Sequence, residues 1–252
     1  MRVVRTASAV GGVRCARLLA LAAAAAAALV ALAASPASAA SDPPWRVAEA
    51  MRAALFEAQS ALIVDGPAEA SEAVTRARSL YRGPLAADLR RADPSADRDV
   101  RRSLAAAARA ALAGDDTRLA AARGAARAAV FRGAFAATLA AVDRGDARGA
   151  RDWLLLREFR TATRFTRPGA DATVALAQLQ RGRLSRPAAH AAVAKDLLDA
   201  YQARLRELLD DAARGEERDL PVRRAEAAAQ AEGYFAILAP RYRQDRGAGA
   251  AA

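Results

Sequence analysis

Apolar positions recur along this chain with a helical period, and turn residues punctuate them. From Trp45, the residues Val47, Met51, Leu55, Ala58 and Leu62 fall at spacings of three and four, the signature of an amphipathic helix with one face against a core. This first helix ends at Asp65-Gly66-Pro67. A second is expected from Ala68 to Arg82, stopped by Gly83-Pro84, with a short continuation through Leu85 and Leu89. The stretch at 92–97 reads as a loop in which Ser95 or Asp97 caps a helix running to Ala113. Gly114-Asp115 then opens a long helix carrying Leu119, Ala126, Val130, Phe131, Phe135, Leu139 and Val142, and Gly145-Asp146 opens the one that carries Trp153. These two Gly-Asp steps enclose a unit of helical-repeat length, although no further positions match.

Downstream, Asp171 or Thr173 starts a shorter helix to about Gln180, and Ser185 with Pro187 starts one through Val193, Leu197, Leu198, Tyr201, Leu205, Leu208 and Leu209. The last helix begins at Leu220-Pro221 and is expected to stop at Ile237-Leu238, before Pro240. The final stretch from Arg241 ends on small residues and reads as a frayed tail or a truncation point, assigned to 244–252. No segment alternates β-branched residues with period two. The fold class is therefore all-α, an antiparallel array of about seven to nine helices occupying residues 40–243.

Composition changes this picture in two places. Hydrophobic residues make up 54% of the 252 positions, but much of that share is alanine, which buries little area, so the core rests on few large side chains. The formal charge is +11 and comes almost wholly from arginine, Lys195 being the only lysine. No aromatic-interleaved basic motif accompanies it, so the charge does not point to nucleic acid.

The N-terminus carries a different signal. Arg2, Arg5, Arg14 and Arg17 precede the apolar run Leu18 to Ala34, followed by Ser35-Pro36-Ala37-Ser38-Ala39, a small-residue cleavage pattern. Residues 1–39 are read as a secretory signal peptide, with an uncleaved anchor as the alternative. Cys15 lies ahead of the run and leaves with it, so the exported chain has no cysteine for disulfides, zinc or thiol catalysis. Removing four arginines from 39 basic residues leaves 35 against 28 acids, a formal charge of +7. No second apolar run as long is apparent downstream.

Candidate chemistry is sparse. His190 is the only histidine, set among alanines without a zinc partner, and there is no Gly-x-Ser-x-Gly and no Gly-rich phosphate loop. A conventional enzyme is not expected, and no small-molecule substrate is evident. Carboxylates remain: Asp196 and Asp199 lie three apart on one helix face, a geometry that hard cations such as ferric iron or calcium accept. The same acids alternate with Lys195, Arg204 and Arg206 as on an ordinary charged surface, which is the favoured reading.

One segment departs from the Ala/Arg background. In "WLLLREFRTATRFTRPGADAT", residues 153–173, Trp153, Leu156, Phe159 and Phe165 form an apolar stripe, while Arg157, Arg160, Arg164 and Arg167 form a ridge. The ridge either grips an anionic partner or ties the segment to acids on neighbouring helices, and the second is favoured. The segment is read as a hinge turned by Pro168-Gly169, with Asp199 among the expected partners of Arg157 and Arg164.

This segment, with "KDLLDAYQARLRELLD" at 195–210, "MRAALFEAQSAL" at 51–62 and "AEGYFAILAPRY" at 231–242, resembles the extracytoplasmic helical region that precedes the membrane domain in bacterial Ftr-type high-affinity iron permeases. The permease's Arg-Glu-x-x-Glu motif is incomplete: Arg157-Glu158 is followed by Phe159, Arg160 and Thr161, so the second glutamate is missing. The resemblance implies an exported accessory domain of an iron uptake system, without the membrane translocation domain, or a truncated copy of such a system. Its partner would be a membrane permease domain or another iron-uptake component, and iron would be the metal at Glu158, Asp171, Asp196 and Asp199. The alternative is a secreted helical-repeat module that binds a protein or an anionic envelope polymer through the arginine ridge.

Overall fold

The computed structural model describes residues 42–157 and 171–247, and the described residues form helices joined by turns, with no strand among them. Nine helices are described: α1 Pro44–Val64, α2 Pro67–Tyr81, α3 Pro84–Ala92, α4 Pro94–Leu112, α5 Asp116–Asp143, α6 Ala147–Leu154, α7 Ala172–Gln180, α8 Arg186–Glu217 and α9 Pro221–Arg246. The all-α expectation holds.

Local sequence explains most of the boundaries. Six of these helices carry proline in their first turn, where a missing N–H costs nothing and φ is preset. Asp115, Asp146, Asp171 and Ser185 cap α5, α6, α7 and α8 by accepting from backbone N–H groups one turn in. Gly114 and Gly145, at φ 70° and 77°, make the left-handed turns that deliver the chain to the first two of these caps.

Two boundaries differ from expectation. The cap of α4 is Asp93, whose Oδ1 accepts from Ser95 N at 2.9 Å and Ala96 N at 3.0 Å. Pro94 occupies the first helical turn, so neither Ser95 nor Asp97 is the cap. The final helix does not stop at Leu238 but continues through Pro240 to Arg246, which places residues 244–246 in helix and not in a tail. Pro240 is exposed and so is Ala236, whose carbonyl loses its helical donor on a face open to solvent.

Helix α5 is the centre of the array. It touches α4 on one side and α9 on the other, with α1, α3, α6 and α8 also against it. By length and composition alone α5 could cross a membrane, yet 61% of its most apolar window is buried by the other helices. Its arginines are matched in the array, Arg132 pairing with Asp93 at 3.1 Å and Asp99 at 2.8 Å. It is read here as a core helix.

Alanine sets the spacing. Gly233 of α9 sits so close to Ala128 of α5 that an added Cβ would collide with it, and a Cβ on Gly124 would lie 2.5 Å from the Glu226 carbonyl oxygen. The few large side chains gather where three helices meet: Phe131 of α5, Tyr201 of α8 and Tyr234 of α9, with Tyr201 and Tyr234 ring centres 5.5 Å apart. On the opposite side α2, α3 and α4 are joined by one buried carboxylate. Asp97 accepts from Tyr81 Oη at 2.7 Å, Arg101 Nε at 2.9 Å and Arg90 Nε at 3.0 Å. Burial alone would raise the Asp97 carboxyl, and these three donors overcome it and hold the group below the ordinary aspartate range. Burial and the same hydrogen bond push the Tyr81 phenol well above its usual range.

Candidate functional site

Helices α1, α5 and α9 leave a cleft of about 290 Å³ between them. Residues separated widely in sequence meet here because α5 is central. Arg123 and Arg127, one helical turn apart, project from α5 on one side; Glu226 comes from α9, and Glu49, Arg52 and Phe56 come from α1. Met51, Leu55, Val130 and Phe131 supply apolar wall, and Leu156, just past α6, closes one margin.

The polar side of the cleft is ordered by charge. Arg123 Nε donates to Glu226 Oε1 at 3.1 Å, and Arg123 Nη2 donates to Glu226 Oε2. This bidentate pair is mostly buried, with 13% of the arginine side chain and 27% of the glutamate exposed. The Arg123 guanidinium lies 5.4 Å from the Phe56 ring centre, and that of Arg127 the same distance from Phe131. At the mouth, Arg52 Nε donates to Glu49 at 2.7 Å. Both carboxylates of the cleft are thus engaged by guanidinium groups, an arrangement that favours anions over metal cations.

The carboxylates proposed from sequence lie elsewhere. Asp171 Oδ1 accepts from Thr173 N at 2.8 Å and Val174 N at 3.0 Å, and Asp196 Oδ2 of α8 accepts from Ala172 N at 3.0 Å. The two side chains therefore converge on the N-terminus of α7, where backbone donors and the helix dipole hold them. Asp199 is half-buried one turn further along α8. Glu158 lies outside the described residues, and among the described residues no group of three His, Cys, Asp or Glu side chains is arranged to hold a metal.

Of the arginine ridge, Arg157 is described and Arg160, Arg164 and Arg167 fall outside the described residues, as do Phe159, Phe165 and the Pro168-Gly169 turn. Arg157 Nη1 donates to Thr173 Oγ1 at 3.1 Å, linking the end of α6 to the first turn of α7. Trp153 and Leu156 are buried, as the stripe predicts. His190 pairs with Asp143, Nδ1 to Oδ1 at 2.7 Å, on the surface where α5 ends and α8 begins.

Compared with known families, residues 39–252 match the one described as "Iron permease FTR1 N-terminal domain". The chain belongs to that family. The match spans nearly all of the chain, agreeing with the resemblance carried by the quoted segments, and a family of iron transporters is one of carriage across membranes and not of enzymes. No curated protein and no solved structure is significantly similar to this FTR1 N-terminal domain.

Sequence reasoning passed over the cleft. The one signal available was that Arg123, Arg127 and Arg132 stand in the middle of a helix built mostly of alanine and larger apolar residues, which marks charges that must find partners on neighbouring helices.

Proposed function

We propose that residues 40–243 form an extracytoplasmic accessory domain of an iron permease-like uptake system, exported by the signal at 1–39 and acting in iron delivery or in assembly of the transporter. The observation that carries this reading is the family match, which begins at residue 39, beside the cleavage pattern at Ser35 to Ala39. The domain works at the outer face of the cytoplasmic membrane, in a periplasm where one exists. Its partner is a membrane permease domain or another iron-uptake component. It performs no enzymatic step and no translocation by itself. Iron is the cargo of the system, and the carboxylates through which this domain meets it are Asp171, Asp196, Asp199 and Glu158.

Cell fractionation with intact-mass analysis tests the export step: the protein is expected outside the cytoplasm and beginning near Ala40. Cytoplasmic protein, or exported protein still carrying residues 1–39, overturns the reading of the signal. Ferric iron titrated into the purified mature chain tests the carboxylates. Asp196→Asn is expected to weaken binding, and equal binding by that variant removes Asp196 from the site.

A further inference from the structure

Helices α8 and α9 leave a groove of about 830 Å³ that is lined by these two helices alone. They run antiparallel: the Tyr201 and Tyr234 rings meet midway, and Gly215 packs against Arg224 near the turn between them. One face of α8, carrying Val193, Leu197, Tyr201 and Leu208, is buried in the array. A second apolar stripe runs beside it through Ala194, Leu198, Leu205 and Leu209, interrupted by Gln202. This stripe is open. Leu198 and Leu205 are half-buried, and Leu209 is 55% exposed. Across the groove, Phe235 and Tyr242 of α9 are 39% and 41% exposed. Two antiparallel helices with an open apolar seam between them are a seat for further helices.

Charge decides which helix fits. Lys195 and Asp210 stand exposed toward the two ends of the α8 stripe, and neither forms an ion pair among the described residues. They are separated by about 22 Å of helix. Further along the groove Arg241 and Asp245 neutralise each other, and Arg246 lies over the Tyr242 ring. An anionic membrane or an acidic helix meets Asp210 with like charge, and a basic helix meets Lys195 in the same way. A second α8 laid antiparallel on the first meets both with opposite charge. The register that sets Lys195 of one copy against Asp210 of the other also sets Arg206 against Asp199 and brings Leu198 beside Leu205.

We propose that the face of α8 and α9 is a self-association surface, on which a second copy of this chain packs with its α8 antiparallel to the first and closes a two-fold dimer. Two helix faces about 22 Å long and about 10 Å wide cover on the order of 450 Å² per copy. That is the small end of specific interfaces, so a dissociation constant in the micromolar range is expected. The proposal goes beyond the iron-uptake reading and does not depend on it.

Sedimentation equilibrium of the chain from Ala40 onward, which holds the whole compact unit Asp42–Ala252, tests it. A reversible monomer–dimer equilibrium is expected, with dimer dominant at ~0.3 mM. Phe235→Glu places a charge in the seam and should leave the protein monomeric with its helical circular dichroism intact. Lys195→Asp and Asp210→Lys are made at exposed positions, and two-fold symmetry repeats each change, so either alone should weaken the dimer about tenfold. Both together in one chain should restore it to within about threefold of the parent. That rescue is specific to self-pairing, and it still decides if Phe235→Glu fails to fold. The proposal is overturned if the chain stays monomeric at ~0.3 mM, including the case in which that monomer sediments with phosphatidylglycerol vesicles, which assigns the face to a membrane. It is also overturned if folded Phe235→Glu dimerises like the parent, or if the double charge swap is as weak as the single ones.

Discussion

Replacing Asp97 by alanine removes the one carboxylate that joins α2, α3 and α4. The side chain is 6% exposed and accepts from three donors, which differ in what they lose. Tyr81 is 1% exposed, so its hydroxyl is left buried and unpaired, at a cost of about 1–3 kcal/mol. Arg90 and Arg101, 58% and 44% exposed, turn to water, so each contributes only ~0–1 kcal/mol. The total is about 3 kcal/mol, which for a domain of this size lowers Tm by roughly 6–12 °C. Tyr81→Phe removes the orphaned hydroxyl along with its bond and should cost about 1 kcal/mol. Thermal and urea unfolding followed by helical circular dichroism give both values, and Asp97→Ala combined with Tyr81→Phe should cost less than the two separately. An Asp97→Ala variant within about 1 kcal/mol of the parent refutes the claim that this carboxylate is a structural tie.

The Asp97 carboxyl and that of Asp93 are both held below the ordinary aspartate value of 3.8, burial being outweighed by hydrogen bonds and, for Asp93, by Arg132. Their stabilisation is therefore present above that value and lost as pH falls through the depressed folded values, so urea midpoints should drop below about pH 4, and less steeply in Asp97→Asn. Gly124→Ala forces α9 away from α5, because its Cβ meets backbone and not a flexible side chain; a loss of about 1–3 kcal/mol is expected in urea unfolding, and an unchanged midpoint contradicts the close packing. Asp171→Ala removes the α7 cap and should cost about 1 kcal/mol, with faster amide exchange at Thr173 and Val174 as the local readout.

Helix ends were legible because proline and Asx signals act locally. Gly114-Asp115, Gly145-Asp146, Asp171 and Ser185 each mark a real start. The one misplaced cap has the same cause: Asp93-Pro94 is a cap followed by a first-turn proline, and it outranks Ser95 and Asp97. Asp97 instead faces inward, toward Tyr81, which depends on how α4 lies on α2 and is not a local property. Pro240 misled for a related reason, since a proline on a solvent face leaves an orphan carbonyl that water can satisfy. The cleft was out of reach of periodicity. Arg123 and Glu226 are 103 residues apart, and alanine on nearly every face of α5 hides which side meets which neighbour. Family membership, by contrast, rested on segments spread from Met51 to Tyr242, and the match over residues 39–252 includes all of them.

The central claim is that this domain serves iron uptake from outside the cytoplasm. Uptake of radiolabelled iron by iron-limited cells tests it most directly, comparing cells that lack the chain with cells given back either the full chain or a version starting at Ala40 without residues 1–39. The account predicts that uptake falls on deletion and is restored only by the full chain. Unchanged uptake on deletion, or equal rescue by the version that stays in the cytoplasm, would contradict it.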